Sequence, residues 1–129
     1  MLNDPLAATL AKIINAEKVG KREVVVKPAS MMIKRILTIM NENGYIGSFE
    51  EIEDMQGGFL KVNLLGNINK CGVIKPRFST KQHAFEKWEK RYLPAKNFGI
   101  ILVSTPKGVM THINAKENNT GGKLLAYCY

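Results

Sequence analysis

The apolar pattern of this chain changes period at Gly44-Tyr45, and that change restricts the fold to one that mixes helices with hairpin-linked strands. Before it, Ile33, Ile36, Leu37 and Met40 recur at helical spacing behind Ser30, which can cap a helix, and Gly44 supplies the stop. An earlier stripe of Leu6, Leu10, Ile13 and Ile14 follows Asp4 as cap and Pro5 at the first helical position, which predicts an amphipathic helix over residues 5–18. Between the two helices Glu23-Val24-Val25-Val26-Lys27 is short and β-branched, so it reads as a strand that Pro28 ends. After Gly44 the pattern is that of strands: residues 45–53, a turn at Gln56-Gly57-Gly58, then residues 59–65 closed by Gly66, a β-hairpin.

Asn67-Ile68-Asn69-Lys70-Cys71-Gly72 reads as a connector, which divides the chain into residues 1–66 and 67–129. The first part is a helix–strand–helix–hairpin α/β lobe. The second is a mainly β lobe: a short strand at 73–75, a polar helical or looped segment over about 80–90, a strand at 98–103, and a last strand at 123–129 entered through Gly121-Gly122. The fold class expected is α+β, in two small lobes, with no repeat and no low-complexity tract.

Charge narrows the partner. The 129 residues carry 19 Lys plus Arg against 11 Asp plus Glu, a formal charge of +8, and polyanions are the default partner of such a surface. Residues 1–54 hold 7 basic and 8 acidic groups, whereas residues 55–129 hold 12 and 3, so the binding face is expected mainly in the second half. No apolar run approaches the ~20 residues of a membrane span, and Met1-Leu2-Asn3-Asp4-Pro5 lacks the charged start of a signal peptide. A soluble cytosolic protein is expected. Cys71 and Cys128 are far apart in sequence, match no C-x-x-C spacing, and read as reduced thiols rather than as a staple or a zinc site.

Two segments carry candidate chemistry. Residues 70–96 contain 8 basic and 2 acidic side chains, with Phe78, Phe85, Trp88 and Tyr92 interleaved among Lys75, Arg77, Lys81, Lys87, Lys90 and Arg91. Such basic groups neutralise phosphates and stay solvated, and no comparable acidic set is present to pair with them. The rings can stack on exposed bases, but large rings more often fill cores, and packing is the expectation for these. The second segment is Ser104-Thr105-Pro106-Lys107-Gly108-Val109-Met110-Thr111-His112, behind the apolar run Phe98–Val103. Its hydroxyls donate and accept, Lys107 can reach phosphate, and Gly108 lets the backbone approach a ligand closely. The same residues are ordinary turn formers, so composition leaves a ligand-binding segment and a plain turn both open.

An enzyme is a poor reading. Ser104 or Cys71 as nucleophile with His83 or His112 as base would need a recognisable setting, and there is no G-x-S-x-G elbow, P-loop or G-x-G-x-x-G. The acidic run Glu50, Glu51, Glu53, Asp54 reads as a solvated strand end rather than a metal or acid/base site. No cofactor, metal or small-molecule substrate is expected. The other class to weigh is a protein-interaction module whose basic face meets acidic partners within a ribonucleoprotein.

Asp4-Pro5-Leu6-Ala7, Asn15-Ala16, Lys27-Pro28-Ala29-Ser30, Gly44-Tyr45-Ile46, Asn69-Lys70-Cys71-Gly72, Lys75-Pro76-Arg77-Phe78, the segment 104–112 and Gly121-Gly122-Lys123 together resemble the small-subunit ribosomal protein number eight family. The likeness runs the whole length in order. Glu86-Lys87-Trp88 and Arg91-Tyr92-Leu93-Pro94 resemble the longer archaeal and eukaryotic form, and the Val109-Met110-Thr111-His112 tail favours the archaeal one.

The resemblance implies a structural constituent of the small ribosomal subunit, not an enzyme. It implies direct, early binding to the central domain of small-subunit ribosomal RNA, help in organising the platform during assembly, neighbouring ribosomal proteins as partners and, in some members, feedback on their own messenger RNA. It assigns Ser104, Thr105, Lys107 and Gly108 to the RNA core and Lys27, Ser30, Lys34 and Arg35 to backbone contacts. Lys75, Arg77, Lys87, Lys90 and Arg91 join them from the basic segment. One departure stands out. Many members carry a third hydroxyl residue where this chain has Pro106, which offers neither a hydroxyl nor an amide hydrogen. Lys123 also stands where bacterial members often have glutamate.

Overall fold

The computed structural model describes residues 5–27, 30–53, 58–95 and 98–129. The expected cap Asp4, the strand terminator Pro28 and the turn residues Gln56 and Gly57 lie outside them. By contact density the chain separates into two compact units, Met1–Asn69 and Lys70–Tyr129.

In the first unit α1 (Pro5–Val19) and α2 (Met31–Glu42) accompany a three-stranded sheet of β1 (Glu23–Val26), β2 (Ile46–Ile52) and β3 (Phe59–Leu64). The strand order is β1-β3-β2 and every pairing is antiparallel. The Ile33 amide donates to the Ser30 hydroxyl at 3.2 Å, the cap that the sequence predicts, and satisfies one of the amides that a helix start leaves unpaired. Gly44 ends the helical segment at φ +78°, a left-handed conformation that side-chain-bearing residues adopt at a cost. Leu6, Leu10 and Ile13 of α1, Ile33, Ile36, Leu37 and Met40 of α2, and Val26, Leu60 and Val62 of the sheet are all buried. Each such side chain contributes about 1.5–3 kcal/mol on leaving water. Ile14 is only half-buried, and the α1 stripe is completed by Thr9 and Ala16 instead.

The second unit holds β4 (Cys71–Val73), β5 (Ser79–Thr80), α3 (Phe85–Tyr92), β6 (Ile100–Thr105), β7 (Gly108–Thr111), α4 (His112–Glu117) and β8 (Gly122–Cys128). Its sheet runs β4-β8-β6-β7, with β5 also paired to β8. The α+β class predicted from the sequence holds, but several boundaries move. The first strand is Cys71–Val73 rather than 73–75, because Cys71 and Gly72 pair with Cys128 and Tyr127. The central strand starts at Ile100 rather than Phe98. Gly99 sits at φ +94°, and a Cβ there would come within 2.9 Å of the Cys128 carbonyl oxygen, so the chain kinks before it enters the sheet.

The same strand continues through Ser104 and Thr105, which pair with Val109 and Gly108. The segment that composition leaves open between a ligand-binding segment and a plain turn is a β-hairpin. A second helix, α4, follows it. Thr111 caps α4 by accepting from the Asn114 amide at 3.2 Å. Ile74, Phe85, Trp88, Leu93, Ile101, Val103, Ala115 and Leu124 form the core of this unit, with Phe78 and Tyr92 packed against it, so the rings pack as expected. No helix among the described residues is long and apolar enough to cross a membrane.

Candidate nucleic-acid interface

The hairpin of β6 and β7 turns through Pro106 and Lys107. Proline's fixed φ suits the second position of such a turn, and Thr105 braces the rest. The Thr105 hydroxyl donates to the Gly108 carbonyl at 2.7 Å and accepts from the Lys107 amide at 3.1 Å. Thr105 is itself buried, so its side chain is spent on the turn. Ser104 points the other way along the pleat and is exposed, as are Lys107 and Gly108. Gly108 lies at φ +115° with no protein atom within 4 Å of a notional Cβ, so the hairpin itself needs it for its backbone angle, and its outer side stays open.

Two strands extend this face beyond the hairpin. Lys123 of β8 is the register partner of Ser104, and Ser79 of β5 is the register partner of Lys123. Both are exposed. Gly121 and Gly122 make the close approach possible: a Cβ on Gly122 would overlap the Ser104 carbonyl oxygen, and one on Gly121 the Thr80 carbonyl oxygen. Ser79 does not announce this role in the sequence, and Lys123 stands out there only as a departure from the bacterial glutamate, because the pairing of β5 with β8 joins residues more than 40 positions apart.

Lys87, Lys90 and Arg91 are exposed on α3. The Lys87 ammonium lies 4.7 Å from the Trp88 ring centroid, and the Arg91 guanidinium lies 5.5–5.7 Å from those of Phe78, Trp88 and Tyr92. Cations held over ring faces keep their charge outward while their stems cover apolar surface. The rings continue as a stacked row from Phe78 through Trp88 and Tyr92 to Tyr127. Lys90 faces Glu86 at 3.7 Å, both side chains 78% exposed, an ion pair too solvated to hold either in place. Lys75 and Arg77 are exposed between β4 and β5.

Lys27, Ser30, Lys34 and Arg35 belong to the first unit. Arg35 is exposed. The Lys27 ammonium is 5.6 Å from the Phe59 ring centroid. The Ser30 hydroxyl is committed to the α2 cap. Lys34 is ion-paired with Glu51, one of the acidic residues read as a solvated strand end.

His112 is buried, and its two ring nitrogens are engaged: Nδ1 accepts from the Ile101 amide at 3.1 Å, and Nε2 lies 3.5 Å from a Glu89 carboxylate oxygen. Glu89 is in turn ion-paired with Lys116. Burial lowers the imidazole pKa, Lys116 adds to that, and Glu89 opposes it. A buried ring with both nitrogens engaged between a strand and a helix is a structural part, not the general base of Ser104. Among the described residues no group of three or more His, Cys, Asp or Glu could hold a metal ion.

The face assembled from β5, β8, β6 and the hairpin turn therefore presents hydroxyls, ammonium groups and backbone on a rigid sheet, a chemistry suited to RNA backbone, while α3, packed on the core side of the sheet, carries further exposed cations of the same unit. A family model described as Ribosomal protein S8 matches residues 4–129. The chain belongs to the ribosomal protein S8 family, the structural, RNA-binding proteins of the small ribosomal subunit that serve translation.

Proposed function

We propose that this chain binds the central domain of small-subunit ribosomal RNA directly and early, and helps to organise the platform of the subunit. The observation that carries the reading is the division of labour at the hairpin. Thr105 locks the turn from within, which leaves Ser104 and Lys107 exposed on a rigid support with Gly108 beside them. Ser104, Lys107 and Gly108 read the irregular RNA surface, and Thr105 acts through the turn that it braces. Lys75, Arg77, Lys87, Lys90 and Arg91 neutralise phosphate. In the first unit Lys27 and Arg35 contact the sugar–phosphate backbone, Ser30 holds the α2 start, and Lys34 exchanges Glu51 for phosphate on binding.

A hydroxyl-radical footprint of the bound protein on small-subunit ribosomal RNA tests this reading. Protection confined to one helical region of the central domain is expected. Protection spread evenly over duplex regions would overturn it, and salt-resistant capture of another ribosomal protein without any footprint would favour a protein-interaction module instead.

A further inference from the structure

Strand pairing sets three donors in line on one face of the second unit. Ser79 opposes Lys123, and Lys123 opposes Ser104, across three neighbouring antiparallel strands. Directly opposed residues project to the same face, and all three are exposed, whereas Val103 and Leu124, one position along, lie in the core. With strands about 4.8 Å apart, the two serines are rooted roughly 10 Å apart with Lys123 between them. Among the described residues none of these three side chains has a hydrogen-bond or ion-pair partner. Gly121 and Gly122 keep the row low, because a Cβ on either would push β8 away from Thr80 or Ser104.

We propose that Ser79, Lys123 and Ser104 grip a single sugar–phosphate strand of RNA, with the ammonium on a phosphate and the two hydroxyls on the 2′-hydroxyls at either side. The proposal rests on the RNA-binding reading of Ser104 above, and adds two residues and a chemical identity for the group each one meets. Lysine offers three donors and no acceptor, which suits a phosphate. A serine hydroxyl both donates and accepts, which suits a 2′-hydroxyl that does the same, and that hydroxyl is the group that separates RNA from DNA. The row holds neither a ring to stack on a base nor a planar fork to read a base edge. It senses the kind of backbone and, with its donors at fixed spacing, the irregular path that this backbone takes.

The test titrates the full chain with a central-domain ribosomal RNA fragment and with the same fragment carrying 2′-deoxy substitutions in the strand that the protein protects. Each 2′-hydroxyl contact removed is expected to weaken the wild type about tenfold, the scale of a lost hydrogen bond. Ser79→Ala should bind the intact RNA about tenfold more weakly and lose about tenfold less than the wild type on deoxy substitution, because only the Ser104 contact is left to remove. Lys123→Met should weaken both fragments alike and lower the slope of log affinity against log salt by about 0.7–0.9. Melting curves matching the wild type are expected for both variants, since these side chains are exposed. If Ser104→Ala weakens binding while Ser79→Ala and Lys123→Met bind as the wild type does, the row is wrong and the Ser104 reading stands. If Ser104→Ala also binds normally, that reading fails first. Equal affinity of the wild type for both fragments would overturn the 2′-hydroxyl contact.

Discussion

Ser104 and Thr105 are adjacent hydroxyl residues with different work, because the strand pleat turns one outward and the other into the hairpin. Thr105→Val keeps the shape and removes both hydrogen bonds of the hydroxyl, so a loss of about 1–2 kcal/mol is expected in urea unfolding. Ser104→Ala should leave the same unfolding curve within about 0.5 kcal/mol, as exposed substitutions do, and lower affinity for the central-domain fragment. Equal stability of the two variants would contradict the assignment. Gly122 is the second residue on which the face depends. Gly122→Ala sets a methyl group against the Ser104 carbonyl, and a destabilisation of about 1–3 kcal/mol is expected from the forced backbone shift, read from the same unfolding curves. In contrast, alanine at an exposed position such as Lys107 should change the unfolding midpoint little.

At the scale of elements, α4 and β6 are joined by His112, whose Nδ1 takes the Ile101 amide where β7 pairing with β6 begins one residue later, at Leu102. Burial lowers its pKa from the ordinary 6.5, with Lys116 acting in the same sense and Glu89 against it. As pH falls through about 6.5, the unfolded chain takes up this proton before the folded one does. The stability that neutral His112 contributes is thus complete above that pH and drains away below it. The unfolding midpoint of the wild type should fall between pH 7 and 5.5, and His112→Asn should flatten that fall; parallel curves for the two proteins would refute the role.

His112 also shows what the sequence could not convey. Its residue type suggested a candidate base, but its use depends on a contact with Ile101 that only the folded hairpin creates. The helices α1 and α2 were legible because their apolar period and the Ser30 cap are local signals. The four-residue β7 and six-residue α4 were not, because each is too short for a period to form and both hide in a stretch rich in turn residues. Of the candidate site, Ser104, Lys107 and the α3 cations are exposed as their residue types suggest. The internal use of Thr105 and the neighbours Ser79 and Lys123 depend on strand register, which no local pattern encodes.

For the whole molecule, the charge asymmetry between halves becomes an asymmetry between units, and the unit Lys70–Tyr129 carries the exposed cations of α3 together with the Ser104 face. Affinity from cations is sequence-independent and falls with salt, whereas the Ser104 face must supply the preference for one RNA over another. Lys87→Ala should therefore weaken specific and random RNA alike and lower the salt slope by about 0.7–0.9 in a titration series, with the ratio of the two affinities unchanged. The most direct measurement is that ratio: affinity for the central-domain fragment over affinity for a random duplex of equal length at fixed salt, for the wild type, Ser104→Ala and Lys87→Ala. The prediction is a high ratio that drops about tenfold in Ser104→Ala and holds in Lys87→Ala. A wild-type ratio near one, or a ratio that falls with Lys87 and not with Ser104, would contradict it.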